Sequence, residues 1–416
     1  MVECRRPARF RRAREAATHG AVSVAPDIRA SRIVGSTLLH QVLVSAIAAA
    51  IPVAMPELVR EAGLFEGLAG LYALSMYAGA VGATLCSERV FRALGPARAS
   101  AIAVVLAACG LLLFVPLGVA GFVLGGLAIG LGYGPVSPAG SYMMAGIVGR
   151  KDLNLVFSIR LAGAPLGVLG AGLGVPPLVA ALGWRGALAA LACALAIPAM
   201  ATLGFARRLD ATLPAVAPPT GGMLGAAREV FADGALRWLV ATSFLFSAML
   251  ATLNAFVPTV ASALGGLDLA RAGLCAVAAQ VASICARLAW GMVADRLLSP
   301  AATLALVGAL MAAATLALGQ VDRDTGFATI LAASAFMGAT AGGWGGVVLA
   351  QAARLAPPGR VGRIAGGVMV YNYLGVMLGP PVVGLVLAAT GSFPVALATV
   401  AAVGLAGAIA ALRLPR

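Results

Sequence analysis

Charged residues are scarce in this sequence. Asp, Glu, Lys and Arg make up 11% of its 416 residues, whereas 61% of the residues are apolar. Soluble domains average about 25% charged and about 45–50% apolar residues. A globular core could not bury so much apolar surface. The composition therefore excludes a soluble enzyme, a secreted disulfide scaffold and a disordered regulator, and it predicts an integral membrane protein.

Aromatic residues are also few, at 6%, and the apolar runs do not alternate with polar residues. A membrane β-barrel requires that alternation, so we exclude a barrel and predict an all-α protein. The 53 glycines favour helices that pack closely through small residues. The six cysteines lack metal-site spacing and only two histidines are present, so we expect no metal and no cofactor.

Long apolar runs begin at residue 33. Each is about 19–27 residues long, enough to cross a hydrocarbon core of about 30 Å at 1.5 Å per residue. The twelve predicted spans are 33–55, 67–86, 99–118, 121–146, 156–181, 184–205, 236–262, 270–292, 301–319, 327–350, 364–389 and 392–412.

The basic residues predict the orientation. With the N-terminus in the cytoplasm, 25 of the 29 basic residues fall in or beside cytoplasmic segments, and the other side receives only Arg60, Arg185, Arg271 and Arg323. Positive charge is retained on the cytoplasmic side of membranes. We therefore predict cytoplasmic termini and a location in the inner (cytoplasmic) membrane. The basic residues retained on the cytoplasmic side account for the net charge of +14, so we expect no nucleic-acid partner. The sequence also contains no nucleotide-binding motif.

The chain divides into four parts: a basic tail over 1–32, a six-helix bundle over 33–205, a cytoplasmic linker over 206–235 and a second bundle over 236–416. The tail lacks the apolar run of a secretory signal. It is typical of a disordered segment on anionic headgroups, and an organelle transit peptide is the alternative. Glycine-rich spans at matching ranks, the fourth and the tenth, indicate a duplicated unit.

The most specific motif ends the eighth span. Gly291 is followed after three residues by Asp295 and Arg296, and the equivalent loop of the first bundle carries Glu88 and Arg89 with altered spacing. This pattern resembles a loop signature of the major facilitator superfamily. The resemblance implies twelve helices in two six-helix halves, and secondary transport of a small molecule by alternating access. We expect a monomer in the lipid bilayer.

A carboxylate at a cytoplasmic helix end can accept hydrogen bonds from the N-terminus of a neighbouring helix and pair with an arginine. Asp295 is therefore a candidate for a latch between the halves. The alternative is a solvated loop pair of Asp295 and Arg296.

The fifth span is rich in glycine and resembles a superfamily motif associated with antiporters. Its members are Gly163, Pro165, Gly167, Gly170 and Gly174. Glycines at this spacing open a groove for a facing helix, and Pro165 removes one backbone hydrogen bond. We expect this groove to pack against the other half.

No Asp or Glu falls inside a predicted span, which argues against proton coupling through a buried carboxylate. Arg287 shares a helix face with Ser283 and Gly291 and resembles the arginine that binds the substrate carboxylate in span 8 of monocarboxylate transporters. Arg160 is the second intramembrane arginine. The alternative is that both arginines extend to the headgroups.

The remaining candidates are polar groups within the spans that could line a central cavity or merely pack. The full candidate set for substrate binding is Arg287, Gln280, His40, Gln41, Arg160, Asn254, Tyr133, Tyr371 and Asn372, with Tyr373 beside them. We expect an anionic organic solute. A drug or metabolite efflux antiporter is the alternative, followed by a passive facilitator or channel. A membrane enzyme would need a cluster of His, Asp or Glu that the spans lack.

Overall fold

The computed structural model describes residues 26–62, 68–144, 153–213, 222–267, 269–357 and 360–415. Residues 1–25 of the predicted tail lie outside this part of the chain. Residues 26–32 are helical and begin the first helix, so the helix starts seven residues before the predicted span. Ala and Arg in this stretch are strong helix formers, which explains why the helix extends beyond the apolar run.

The first half and the linker contain seven described helices. They are α1 (Pro26–Ala62), α2 (Leu68–Leu94), α3 (Pro96–Leu112), α4 (Phe114–Met144), α5 (Leu153–Leu161), α6 (Gly163–Asp210) and α7 (Gly222–Ala232), the last within the linker. α6 turns at Gly183, whose φ of +67° lies in the left-handed region that favours glycine. The turn lets α6 complete the fifth span and provide the sixth.

The second half also contains seven described helices. They are α8 (Gly234–Ala263), α9 (Leu269–Arg296), α10 (Pro300–Gly319), α11 (Phe327–Ala341), α12 (Gly345–Leu355), α13 (Val361–Thr390) and α14 (Phe393–Leu412). The tenth span is broken into α11 and α12 around Gly342 and Gly343.

Twelve crossings follow from these helices. Nine of the described segments are long and apolar enough to cross a bilayer. The longest of them, Asn154–Asp210, has 57 residues and provides two crossings because it bends at Gly183. α2 and the 17-residue α3 supply the other two crossings. The predicted fold, twelve helices in two six-helix halves, is confirmed.

The two halves use the same helix pairing. In the first half α1 packs on α6, α2 on α4, and α3 on both α4 and α6. In the second half α8 packs on α13, α9 on α11, and α10 on α14. Spans of equal rank therefore have equivalent neighbours, which is the arrangement that a duplicated six-helix unit produces.

Glycines mark equivalent crossings in the two halves. Gly130 of α4 lies against the α2 backbone at Met76 and Ala80, and Gly338 of α11 lies against the α9 backbone at Ala279. A Cβ atom at either glycine would overlap a backbone carbonyl group. These crossings depend on glycine because the facing backbone cannot move aside as a flexible side chain could.

The glycines of the fifth span correct one prediction. Gly163 and Gly167 pack on α1 of the same half, not on the other half. Pro165 is buried between them, whereas Gly170 and Gly174 have no atom within 4 Å of where a Cβ would stand. The glycine spacing indicates a close helix crossing but does not identify the helix that is crossed.

We predict that Gly130→Ala lowers the thermal unfolding temperature of the detergent-purified protein. Overpacking at a closed site costs about 1–3 kcal/mol. Gly170→Ala is the matched control, because it adds the same methyl group in open space and gains helix propensity of up to about 1 kcal/mol. Equal melting temperatures for the two variants would show that the α2–α4 crossing does not require glycine.

Candidate functional site

Asp295, in the last turn of α9, joins the two halves. Its Oδ2 accepts a hydrogen bond from the Leu155 amide at 2.8 Å, and its Oδ1 accepts from the Asn154 amide at 3.3 Å and from the Asn154 side chain. Arg354 at the end of α12 pairs with Oδ1 at 3.2 Å, and the Asp295 side chain is 2% exposed. The first N–H groups of α5 have no partner within the helix, so the carboxylate satisfies them. We call this contact the Asp295 latch.

The partner arginine of the latch was not singled out from the sequence. Arg296 is exposed, and Arg354 takes the position beside the carboxylate. Arg354 also donates to the Asn154 side-chain oxygen at 3.4 Å. Gly291 lies one turn before Asp295 and packs against Ser158 of α5, where a Cβ would crowd the serine side chain. Gly346 of α12 packs on the same serine.

A second contact joins the halves at the equivalent place. The Glu88 carboxylate of α2 pairs with Arg363 of α13 at 2.9 Å, and both side chains are buried. Arg363 also pairs with Glu229 of α7 at 3.1 Å and donates to the Gly222 carbonyl at 2.9 Å. The linker helix is therefore part of this contact, while Arg89 is exposed. We call it the Glu88 latch.

Both latches lie at the end of the bundle that holds the arginine-rich segments. We call it the arginine-rich end. The hydrogen bonds and ion pairs between halves that the structure describes are located there. In each latch a carboxylate in the last two turns of the second span of one half meets the first turn of the fifth span of the other. The halves are thus joined twice in pseudo-symmetric fashion.

Arg287 lies two turns from Asp295 towards the membrane interior. It is 8% exposed, its Nε–H is buried without a partner, and no hydrogen bond to it is present among the described residues. Its guanidinium approaches the other half beside Gly345, where a Cβ would lie 3.3 Å from Leu161 and 3.6 Å from the Arg287 Nη1. Arg287 is therefore a buried cation at the boundary between the halves.

Arg160 is fully buried on α5. Its Nη1 donates to the Ser137 carbonyl at 2.8 Å and its Nη2 to the Ser137 hydroxyl at 3.0 Å, while its Nε–H has no partner. The guanidinium carbon stands 5.9 Å from the centre of the Phe157 ring. Neither arginine reaches solvent in the way that the headgroup alternative requires.

Three tyrosines connect the halves near the arginines. The Tyr373 ring of α13 lies 5.9 Å from Tyr133 of α4 and 6.4 Å from Tyr77 of α2, measured between centroids. Tyr133 is within electrostatic range of Arg287, and Tyr373 within that of Arg160. Tyr77 was missed from the sequence, although it is an aromatic residue in the middle of a span as Tyr133 is.

The remaining candidates lie in different places. Gln41 is buried on α1, donates to Ser45 at 3.3 Å and keeps its side-chain oxygen unpartnered. Gln280 and Asn254 face each other at 3.5 Å within the second half. Asn372 donates to a serine of α8 at 3.4 Å, so it also pairs within its own half.

Two candidates are turned away from the boundary. The two ring nitrogens of His40 lie 2.9 Å from the hydroxyls of Ser100 and Thr202, and all three residues belong to the first half. The Tyr371 hydroxyl donates to the Ala227 carbonyl of the linker helix at 3.2 Å. The structure brings neither side chain to the arginines, because His40 is held by Ser100 and Thr202 and Tyr371 by the linker helix.

The chain matches a sequence model described as the Major Facilitator Superfamily over residues 37–380. It is 34% identical to monocarboxylate transporter 11 of Mus musculus over 170 residues, which is 39% of this chain and 38% of that protein. The match thus spans well under half the length of that curated relative.

Two solved structures are similar in fold. The fucose:proton symporter FucP of E. coli superimposes with a TM-score of 0.69 at 17% identity, over 93% of this chain and 100% of that one. A bacterial homologue of the iron transporter ferroportin, in an outward-facing state, gives a TM-score of 0.72 at 15% identity, over 91% and 98% of the two chains.

We predict that Asp295→Asn increases amide hydrogen exchange at the start of α5, at residues 154 and 155. Loss of a hydrogen bond to a charged group costs about 1.5–3 kcal/mol, so local opening should rise about tenfold or more.

Asp210→Asn is the matched control for this measurement. Asp210 accepts from the amides of Ala97 and Arg98 at the start of α3, inside the first half. Its loss should accelerate exchange at α3 and leave α5 unchanged. Unaltered exchange at α5 in the Asp295 variant would mean that the latch does not hold the halves together.

Proposed function

The chain belongs to the major facilitator superfamily, and on this premise we propose that it carries a small anionic organic solute across the cytoplasmic membrane by alternating access. Because the chain belongs to this superfamily, it is a multi-pass membrane transporter and not an enzyme. We propose the class of solute, its negative charge and the side of the membrane that each end of the helix bundle faces.

The observation that supports the proposal is that Arg287 is buried without a carboxylate partner among the described residues. An arginine at the centre of a bilayer costs roughly 2.5–3.5 kcal/mol by insertion scales, and intramembrane cations normally pair with carboxylates. Among the described residues no carboxylate pairs with Arg287, and its Nε–H is buried without a partner. A carboxylate of the solute supplies the missing counter-charge, and the planar guanidinium binds it through two parallel hydrogen bonds.

The similarity to a monocarboxylate transporter supports an anionic solute, since that relative is named for a monocarboxylate. The three tyrosines that connect the halves also suit a carboxylate, because the Tyr133, Tyr77 and Tyr373 hydroxyls can donate hydrogen bonds. The unpartnered side-chain oxygen of Gln41 can accept a hydrogen bond from a donor group of the solute, not from its carboxylate. We place the solute among these groups and leave His40, Tyr371 and Asn372 to helix packing.

The two latches support alternating access. They consist of hydrogen bonds and ion pairs that can break without unfolding either half, since each half has its own hydrophobic core contacts. The assignment of 25 of the 29 basic residues to one side supports a cytoplasmic location for the arginine-rich end. In this arrangement the latched form is closed to the cytoplasm, and opening to it requires both carboxylates to release their partners.

The efflux alternative rested on the glycines of the fifth span. Gly163 and Gly167 pack within the first half and Gly170 and Gly174 face open space, so the structure adds no observation in favour of efflux. A passive facilitator would not need two latches that join the halves at one end. Saturable uptake with trans-stimulation distinguishes a transporter from a pore.

We predict that Arg287→Lys weakens solute binding about tenfold or more, because lysine keeps the charge and loses the bidentate geometry. Arg287→Ala should abolish uptake. The measurement is saturable uptake of labelled acetate, butyrate, benzoate and succinate into proteoliposomes, with KM compared between variants.

Arg296→Lys is the matched control, since it makes the same change at an exposed position on the same helix. Its KM should equal that of the unmodified protein. A wild-type KM for Arg287→Lys would remove Arg287 from solute recognition.

A further inference from the structure

We infer that the solute carries two negative charges, one held by Arg287 of the second half and the other by Arg160 of the first. This inference rests on the proposed function and narrows its substrate class to dianions. It depends on the relative position of the two arginines, on their unpaired donors and on the absence of a counter-charge among the described residues.

The packing of α5 against α9 places the arginines at one level. The two helices run antiparallel: Asp295 contacts residues 154 and 155, and one turn further Gly291 contacts Ser158. Continuing this register sets Arg287 level with residue 162 and Arg160 level with residue 289 along the helix axes. The two Cα positions then differ by two residues, about 3 Å along the helix axes.

The Leu161 contact agrees with this register. Leu161 and the Arg287 guanidinium both lie beside Gly345, one turn beyond the Ser158–Gly291 contact. The tyrosines connect the two arginines from the other side. Arg287 is within electrostatic range of Tyr133, Arg160 is within that of Tyr373, and the two tyrosine rings are in contact. Both cations therefore border one region between the halves.

The arginines retain unused hydrogen-bond donors. A guanidinium has five N–H groups. Arg160 uses its two terminal nitrogens on Ser137, and Arg287 has no hydrogen bond among the described residues; both Nε–H groups are buried without a partner. Both residues are more than nine-tenths buried.

The nearby carboxylates are already engaged. In the described part of the chain, Asp295 pairs with Arg354, and Glu88 pairs with Arg363. No described carboxylate pairs with Arg160 or Arg287. The two buried cations are each poorly solvated. A monoanion would neutralise only one of them, whereas a dianion neutralises both.

The two arginines belong to different halves, so binding of the second charge of the solute affects the contact between the halves. A dianion held by both guanidiniums connects α5 to α9 directly. It therefore binds most tightly when the latches are closed, and it favours the closed form by its differential affinity.

The test compares ligands that differ by one charge at equal chain length. Affinities of the full-length purified protein for succinate and butyrate are measured by calorimetry at constant ionic strength, with inorganic phosphate as a third probe that carries its charges on a single group. We expect succinate to bind about tenfold or more tightly than butyrate. Phosphate binding as tightly as succinate would assign the site to a single multiply charged group instead of two separated carboxylates.

Arg160→Gln should remove most of the preference for succinate, because the second carboxylate loses its partner. Arg208→Gln is the matched control: Arg208 is an exposed arginine at the end of α6, and its loss should leave the succinate-to-butyrate ratio unchanged. If Arg160→Gln does not fold, the succinate-to-butyrate affinity ratio of the wild-type protein still tests the inference.

Two outcomes would contradict the inference in different ways. Equal wild-type affinities for succinate and butyrate, with both lost in Arg287→Ala, would refute the dianion and leave the proposed function intact. Affinity for neither acid nor phosphate would refute both.

Discussion

The Asp295 carboxylate accepts the amide hydrogens that begin α5 and pairs with Arg354, and the arrangement of the whole boundary depends on this interaction. It combines a helix N-terminus, a buried carboxylate and an arginine, so charge and hydrogen bonding act together. Since Asp295 is fixed to residues 154 and 155, the next turn of each helix must meet at Gly291 and Ser158. The turn after that brings two arginines from different halves to one level.

Glycine determines the packing within each half in the same way that the latches determine the contact between halves. Gly130 and Gly338 occupy equivalent crossings, and neither crossing has room for a Cβ atom. Such crossings are rigid because backbone lies against backbone. The halves therefore behave as two stiff bodies, whereas the boundary between them combines apolar packing with the ion pairs of the two latches. The proposed alternating access requires these latches to open while the crossings within each half stay packed.

The sequence was sufficient for the fold. Apolar run lengths predicted the twelve spans, and the motif around Asp295 identified a residue that the structure places between the halves. Arg354 could not be found, because its partner Asn154 is 200 residues away and only the tertiary fold brings α12 to α5. The sequence left open whether His40 and Tyr371 line a cavity or pack, because helical periodicity defines faces but not the neighbour of each face. The same ambiguity explains the fifth-span glycines.

The central claim is that two rigid halves are held together at the arginine-rich end by the two latches. Spin labels are attached at Arg89 and Arg296, which are exposed positions in different halves, in a background without native cysteines. Pulsed electron paramagnetic resonance then measures the distance between the labels and tests this claim. The account predicts that the double variant Asp295→Asn/Glu88→Gln shifts this distance distribution to longer values. It also predicts that labels at Arg89 and Arg208, both in the first half, keep their distance. An unchanged distance between the halves, or an equal change within the first half, would contradict the account.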